Sequence, residues 1–209
     1  MTSIYLIRHG ETEGESSIRF HGKTDVDLSD LGRRQMASVG SALAPVRFSR
    51  FVASSLSRSR EGADLVRKAQ VAPELAPIDV DSRLDEVDFG RFEGLTAEEI
   101  EATFPGDARQ WKEQGARFHF PDGESGQTFS ERVREAGAHL LSRARDTDDP
   151  MCVVVHKGVI RVLMAAWLDF EPHQARRVEV DLGGVFVFEW RGANPVARLL
   201  NWRPEPWLP

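Results

Sequence analysis

The sequence predicts an α/β fold, a mostly parallel sheet covered by helices on both faces. Three observations carry that expectation. Short apolar runs rich in β-branched or aromatic residues alternate along the chain with amphipathic stretches of helical period. Two hydroxyl-x-x-Glu caps announce further helices between the runs. Polar clusters follow the apolar runs directly, where ligands gather in open α/β sheets.

The strands are expected at Ile4 to Ile7, Phe51 to Ala53, Met151 to Val155 and Val185 to Trp190, with Ala197 to Trp202 as a weaker candidate. Met36, Val39 and Leu43 repeat at helical spacing behind the cap Ser29, and Val159, Val162, Leu163 and Ala166 do so behind His156-Lys157-Gly158. Thr96-Ala97-Glu98-Glu99 and Thr128-Phe129-Ser130-Glu131 each read as a capping box, so helices are expected to start at both. Residues 105–126 lack clear periodicity and carry Pro105-Gly106, Pro121-Asp122-Gly123 and several aromatics. They are expected to form a long, lid-like excursion over the site. No repeat, linker or low-complexity tract interrupts the chain, and residues 1–209 are expected to form one domain.

Composition excludes several classes. With 41% hydrophobic and 29% charged residues the chain is neither disordered nor membrane-like, and no stretch reaches the roughly 18 apolar residues of a membrane span. A formal charge of −6 gives no net field toward nucleic acid or an anionic membrane, so an anion site must be a local cluster of positive charge. The lone Cys152 sits in an apolar run, which fits a buried packing role and a cytoplasmic, reducing location. The chain enters its first strand with no basic region before it, so no secretion signal is expected. Trp167 and the tail Pro204-Glu205-Pro206-Trp207-Leu208-Pro209 are read as burying either against a second subunit, as a homodimer, or against the same chain.

Four clusters supply what phosphoryl transfer to a side chain requires. Arg8-His9-Gly10-Glu11-Thr12 follows the first strand, with Gly10 allowing a sharp turn. A histidine there is a nucleophile if one ring nitrogen is held as a donor, which leaves the other a lone pair. Ser54 to Arg60 brings two arginines to a helix start, Arg58 as a bidentate phosphate clamp and Arg60 as surface. Leu84 to Thr96 offers carboxylates to protonate a leaving alkoxide, and position does not choose among Asp85, Glu86 and Asp88. His156-Lys157-Gly158 sits at a strand end and helix start, where backbone amides favour an anion and a cationic His156 would neutralise charge on the transferring group.

From Ile4 to about Leu163 these residues resemble the histidine phosphatase superfamily, in its phosphoglycerate mutase-like branch. Arg8 to Thr12 resembles the family's opening signature, and Gly22 to Ser29 with Gly32 and Gln35 resembles the family's next conserved stretch. Ser54 to Arg58, Leu84 to Thr96, Gly123-Glu124-Ser125 and His156 to Arg161 come in the family's order. The resemblance implies a three-layer α/β/α sandwich, mostly parallel with an antiparallel strand, and no metal or organic cofactor. It implies His9 as the nucleophile, Arg8, Arg58 and His156 as the phosphate pocket, and Glu86 as the proton donor that later activates water. The expected activity is hydrolysis of small phosphomonoesters through a phosphohistidine. The alternatives are a cofactor-dependent phosphoglycerate mutase-type transfer and a catalytically weak phospholigand-binding domain.

The chain departs from the family at three places. Gly14 and Glu15 stand where tryptophan and asparagine are usual, Ser55 where proline is common, and Lys157 where glycine is common. Glu15 is expected to place a negative charge near the phosphate, and Lys157 to offset it. Thr12, Glu15, Lys157, Arg19 and Phe20 are the candidate substrate contacts, with Trp111 and Phe118 as further contributors. His119 is a weaker candidate contact, His139 is expected to be structural, and His21 and His173 have no equal claim.

Overall fold

The computed structural model of the chain describes residues 2–71 and 75–204. One sheet holds β1 (Thr2–Arg8), β2 (Arg50–Ala53), β3 (Ile78–Val80), β4 (Met151–Val155), β5 (Val185–Arg191) and β6 (Asn194–Trp202), in the order β3-β2-β4-β1-β5-β6. The first four run parallel, and β5 and β6 lie antiparallel at one edge. One strand, β5, therefore runs against the others, as the resemblance implied, and β6, antiparallel to β5, runs again in the direction of β1 to β4. The two-residue connection at Gly192-Ala193, with Gly192 at φ 67°, makes β5 and β6 a hairpin, and a hairpin has no parallel option. The three-residue β3 was not foreseen, being too short to show any period.

Side chains alternate between faces along each strand, so each central strand feeds two cores. Ile4 and Leu6 of β1, Met151, Val153 and Val155 of β4, and Phe186 and Phe188 of β5 pack on one face with α5 (Gly126–Ala144) and α6 (Lys157–Leu168). Ile7, Cys152, Val154, Val185 and Val187 pack on the other with α1 (Asp30–Leu43) and α2 (Ser57–Lys68). The result is the expected helix-sheet-helix sandwich. Ser29 caps α1 through Gly32 N, and Thr96 and Glu99 form the full capping box that opens α3 (Ala97–Thr103).

The other predicted cap is displaced. Helix α5 starts at Gly126, because Ser125 accepts from Thr128 N, while Glu131 accepts from Gln127 rather than reaching back to Thr128. The segment 105–126 is also more ordered than its sequence suggested: Pro105–Gln114 is a helix, α4, with proline in its first turn, followed by a short 3-10 turn at Gly115–Arg117. Its ten residues bury only Ala108 fully, too few for a visible period. Trp167 packs on Phe188 and Trp190 of the same chain, at 5.2 and 5.0 Å between ring centroids. Residues 205–209 of the tail lie outside the described residues.

The carboxyl ends of β1, β2 and β4 lie side by side and deliver Arg8-His9, Ser54-Ser55 and His156 to one edge of the sheet. The chain turns after His9 by packing backbone on backbone: β-carbons on Gly10 and Gly32 would lie 2.4 Å from Gly32 O and 1.9 Å from Glu11 O. Gly32→Ala is therefore expected to lose about 1–3 kcal/mol of stability, read as a lower urea midpoint. Gly106→Ala, where a β-carbon meets nothing within 4 Å, is expected to be neutral or slightly stabilising.

Candidate active site

His9 is 4% exposed, and its Nδ1 lies 2.7 Å from the Gly10 carbonyl oxygen. A carbonyl only accepts, so Nδ1 carries the proton and Nε2 keeps the lone pair. Burial first, and then the Arg58 and Arg8 charges, hold the His9 pKa well below the usual histidine value, so the ring is neutral at physiological pH. His156 lies beside it, ring centroids 5.1 Å apart. Ser54 is fully buried, and its hydroxyl proton finds an acceptor in His156 Nε2 at 2.7 Å while Oγ accepts from Leu56 N. His156 Nδ1 then carries a proton and is a buried donor without a protein partner.

A cationic His156 was expected, and the site corrects this. Burial, followed by Arg58, His9 and Arg8, holds its pKa well below the usual value, so it is a neutral donor. The cations are Arg8 and Arg58. Arg8 donates to Val180 O at 2.8 Å and Ser16 O at 3.3 Å; burial lowers its pKa to about 10, and it stays charged. Arg58, fully buried, donates to the carbonyls of Thr24, His21 and Gly22. Nε of both guanidiniums is buried with no partner, so each keeps a donor available for an anion.

Among the acids the geometry separates what position alone could not. Asp85 accepts from Ser55 N and Ser55 Oγ, both at 2.7 Å. Asp88 caps Gly90 N and pairs with Lys23. Glu86 alone of the three lines the cavity, accepting from Val87 N at 3.0 Å and Gly158 N at 2.9 Å. Its approach to α6 requires glycine, because a β-carbon at 158 would sit 2.3 Å from Glu86 Oε1. Arg132 of α5 holds the same turn by donating to the carbonyls of Arg83, Asp85 and Glu86, and pairs with Glu124.

The cavity has a volume of about 660 Å³. Arg8, His9 and Glu86 line it, together with an aromatic wall of Phe20, Phe89, Trp111 and Phe120 and the α6 residues Lys157 and Arg161. Of the candidate contacts, Lys157, Arg19 and Phe20 line it, although Arg19 is engaged by Glu99 at 2.7 Å and Glu15 at 3.4 Å. Thr12 and Glu15 do not. Thr12 is buried against Ser16 Oγ, and the Glu15 side chain is 63% exposed on its ion pair with Arg19. No offset by Lys157 is needed for a charge that points elsewhere. Phe118 is 3% exposed in the core behind Trp111, and His119 is exposed with Nε2 near Gly123 O; neither lines the cavity.

Sequence alone does not single out His21 or Arg132, and it places Gly158 in the His156-Lys157-Gly158 cluster without showing its contact with Glu86. His21 lines the cavity, its Nε2 hydrogen-bonded to Gly14 O and its Nδ1 buried without a partner. Its one sequence signal is its place before Gly22, since both residues' carbonyls hold Arg58.

Two buried neutral histidines make stability pH-dependent. Their folded pKa values are lowered, so the unfolded chain takes up protons that the folded one refuses, and stability present above pH ~6.5 is lost as pH falls below it. Between pH 6.5 and 5.5 the pair is expected to cost about 2 kcal/mol of unfolding free energy. His156→Gln is expected to remove about half of that dependence, read from denaturant titrations at the two pH values.

A sequence model described as histidine phosphatase superfamily (branch 1) matches residues 4–203. The glucosyl-3-phosphoglycerate phosphatase of Mycolicibacterium vanbaalenii is 33% identical over 172 residues, covering 79% of this chain and 73% of that protein. A Klebsiella pneumoniae protein named "Probable phosphoglycerate mutase GpmB" is 32% identical over 208 residues, covering 100% of this chain and 88% of that one. Among solved structures, the Shigella flexneri alpha-ribazole phosphatase superposes with a TM-score of 0.86 at 24% identity, over 99% of this chain and 100% of that one, a likeness of fold. The mycobacterial glucosyl-3-phosphoglycerate phosphatase complexed with VO3 superposes at 0.82 with 25% identity, over 96% and 99% of the chains. With Arg8, His9, Arg58 and His156 all within the matched span, the chain belongs to the histidine phosphatase superfamily, branch 1.

Proposed function

We propose that the chain hydrolyses small phosphomonoesters through a phosphohistidine on His9. The observation that carries the reading is the Nδ1 to Gly10 O hydrogen bond of 2.7 Å, because it fixes the lone pair on Nε2 in a ring kept neutral by burial. Nε2 attacks phosphorus in line and the ester P–O bond breaks. The leaving oxygen takes the Glu86 proton. Arg8, Arg58 and the His156 Nδ1 donor stabilise charge on the transferring group. The Glu86 carboxylate then takes a proton from water, whose oxygen attacks phosphorus; the P–N bond breaks, and inorganic phosphate leaves with His9 neutral again.

Two arginines and a preset nucleophile supply the charge neutralisation and activation that a metal would otherwise provide, so the reaction is metal-independent. The large aromatic wall fits a leaving group bigger than a short alcohol, in keeping with the sugar-bearing substrate named for the mycobacterial relatives. The lone cysteine is buried, its thiol pKa pushed up by burial, which suits a cytoplasmic protein without disulfides. No helix among the described residues is long and apolar enough to cross a membrane.

The mutase reading keeps one support, the relative that spans this whole chain. A non-catalytic binding role was motivated by Glu15 near the phosphate, and Glu15 does not line the cavity. The test is release of phosphate from an aryl phosphate in excess chelator, with acid-labile phosphoprotein trapped in parallel. Release that survives chelation supports the phosphatase. Phosphoprotein that discharges faster to 3-phosphoglycerate than to water would replace it with a mutase, and neither product would leave a binding protein.

A further inference from the structure

Helix α6 places Lys157, Arg161 and Ala165 on one face, four residues apart, and all three line the cavity. Lys157 stands beside the Gly158 amide that holds Glu86, and Arg161 lies one turn further out, about 6 Å along the axis. Arg176, just beyond α7 (Pro172–Ala175), also lines the cavity, and its guanidinium lies against Gly115, where a β-carbon would come 3.5 Å from Nη1. Among the described residues none of these three cations makes an ion pair or a side-chain hydrogen bond, and Arg161 Nε is buried without a partner. By contrast, Arg19 and Lys112 line the same cavity and are neutralised by Glu99 and Glu101.

Lys157 and Arg161 are half-buried and Arg176 is exposed; unpaired cations that give up water cost free energy, and they are retained where a ligand completes them. Burial lowers the pKa of both Lys157 and Arg161, and the repulsion of Lys157 by Arg161 adds to it. Glu179 acts on both electrostatically and Asp181 on Lys157. Neither lies at ion-pair distance from them, and Asp181 is engaged by Asn201 and Arg203. The transferring phosphate already has Arg8, Arg58 and the His156 donor. A second group of cations one helical turn away calls for a second negative charge.

We propose that Lys157, Arg161 and Arg176 form a second anion subsite, which selects phosphomonoesters whose leaving group carries a carboxylate or a further phosphate. The inference rests on the reading of this cavity as a phosphatase site. It assigns the α6 side of the cavity to the leaving group's charge and the aromatic side to its body.

Three esters of equal chain length test it: butyl phosphate, 4-phosphooxybutanoate and butane-1,4-diol bisphosphate. The wild type is expected to favour the two charged esters over butyl phosphate by about tenfold or more in kcat/KM, the preferred one naming carboxylate or phosphate as the second anion. In Arg161→Gln/Arg176→Gln the ratio is expected to fall to within about twofold of unity, and Arg161→Lys is expected to keep most of it. A wild-type ratio near one, or an unchanged ratio in the double variant, with butyl phosphate hydrolysed, overturns the subsite and leaves the phosphatase standing. If no ester is hydrolysed the phosphatase reading falls, and calorimetry of butyl phosphate against the bisphosphate decides the subsite alone. Tighter binding of the bisphosphate that disappears in the double variant supports it, and equal binding overturns it.

Discussion

His9→Ala is expected to abolish the phosphoenzyme and to lower turnover of an aryl phosphate by at least about 10⁴-fold, some 5.5 kcal/mol of barrier. The size follows from the chemistry. Every phosphoryl group passes through the ring nitrogen, and the cations left behind bind the ester equally well before and during reaction unless a nucleophile is in line. Removing a buried, desolvated imidazole also relieves a pH-dependent burden, so the variant is expected to stay folded and to lose less stability at pH 5.5 than the wild type. Quenching in acid-avoiding conditions and counting protein-bound phosphate checks the first claim. Residual phosphoenzyme, or turnover within tenfold of the wild type, would place the nucleophile elsewhere.

Glu86→Gln is expected to separate the two half-reactions. A nitrophenolate leaves without help, so phosphorylation by 4-nitrophenyl phosphate is expected to stay fast and give a burst of one nitrophenolate per protein. Discharge to water is expected to slow by about 10²–10⁴-fold for want of a base. An alkyl phosphate, whose alkoxide needs a proton, is expected to lose that factor in the first step and to give no burst. Gly158→Ala tests the same group through its support: the added carbon would lie 2.3 Å from Glu86 Oε1, so it is expected to reproduce the leaving-group dependence with Glu86 itself intact. Equal losses on both esters would assign Glu86 to structure instead.

The sheet and its flanking helices were legible because each rests on local signals: β-branched runs for β1, β2, β4 and β5, and Ser29 and the Thr96/Glu99 pair for two helix starts. Helix α4 was hidden because Ala108 alone of its ten residues is fully buried, which leaves no apolar period to read, and β3 because it has three residues. The Thr128 cap was misplaced because Ser125 offers an equivalent hydroxyl one turn earlier, and only the backbone shows which amide each accepts. At the site, motif residues following strands came together, while Glu15 showed the limit of position in sequence. Its backbone turns through φ 59°, and the side chain leaves toward Arg19. His21, Gly158 and Arg132 act by reaching across the fold, and no spacing along the chain encodes such contacts.

The cavity has two makers. The carboxyl edge of the sheet supplies His9 and Arg8, whereas the aromatic wall draws on Phe89, Trp111 and Phe120, from segments that add no strand to the sheet. Because these parts come from different segments, the wall is exchangeable wherever Ile100, Ala108, Phe118 and Phe120 keep their place in the shared core: grafting a relative's counterpart of residues 97–120 would alter which alcohol is accepted while the phosphorus chemistry kept its geometry. A fold divided in this way lets new substrate preferences arise by replacement of a surface piece, with the reactive machinery inherited whole.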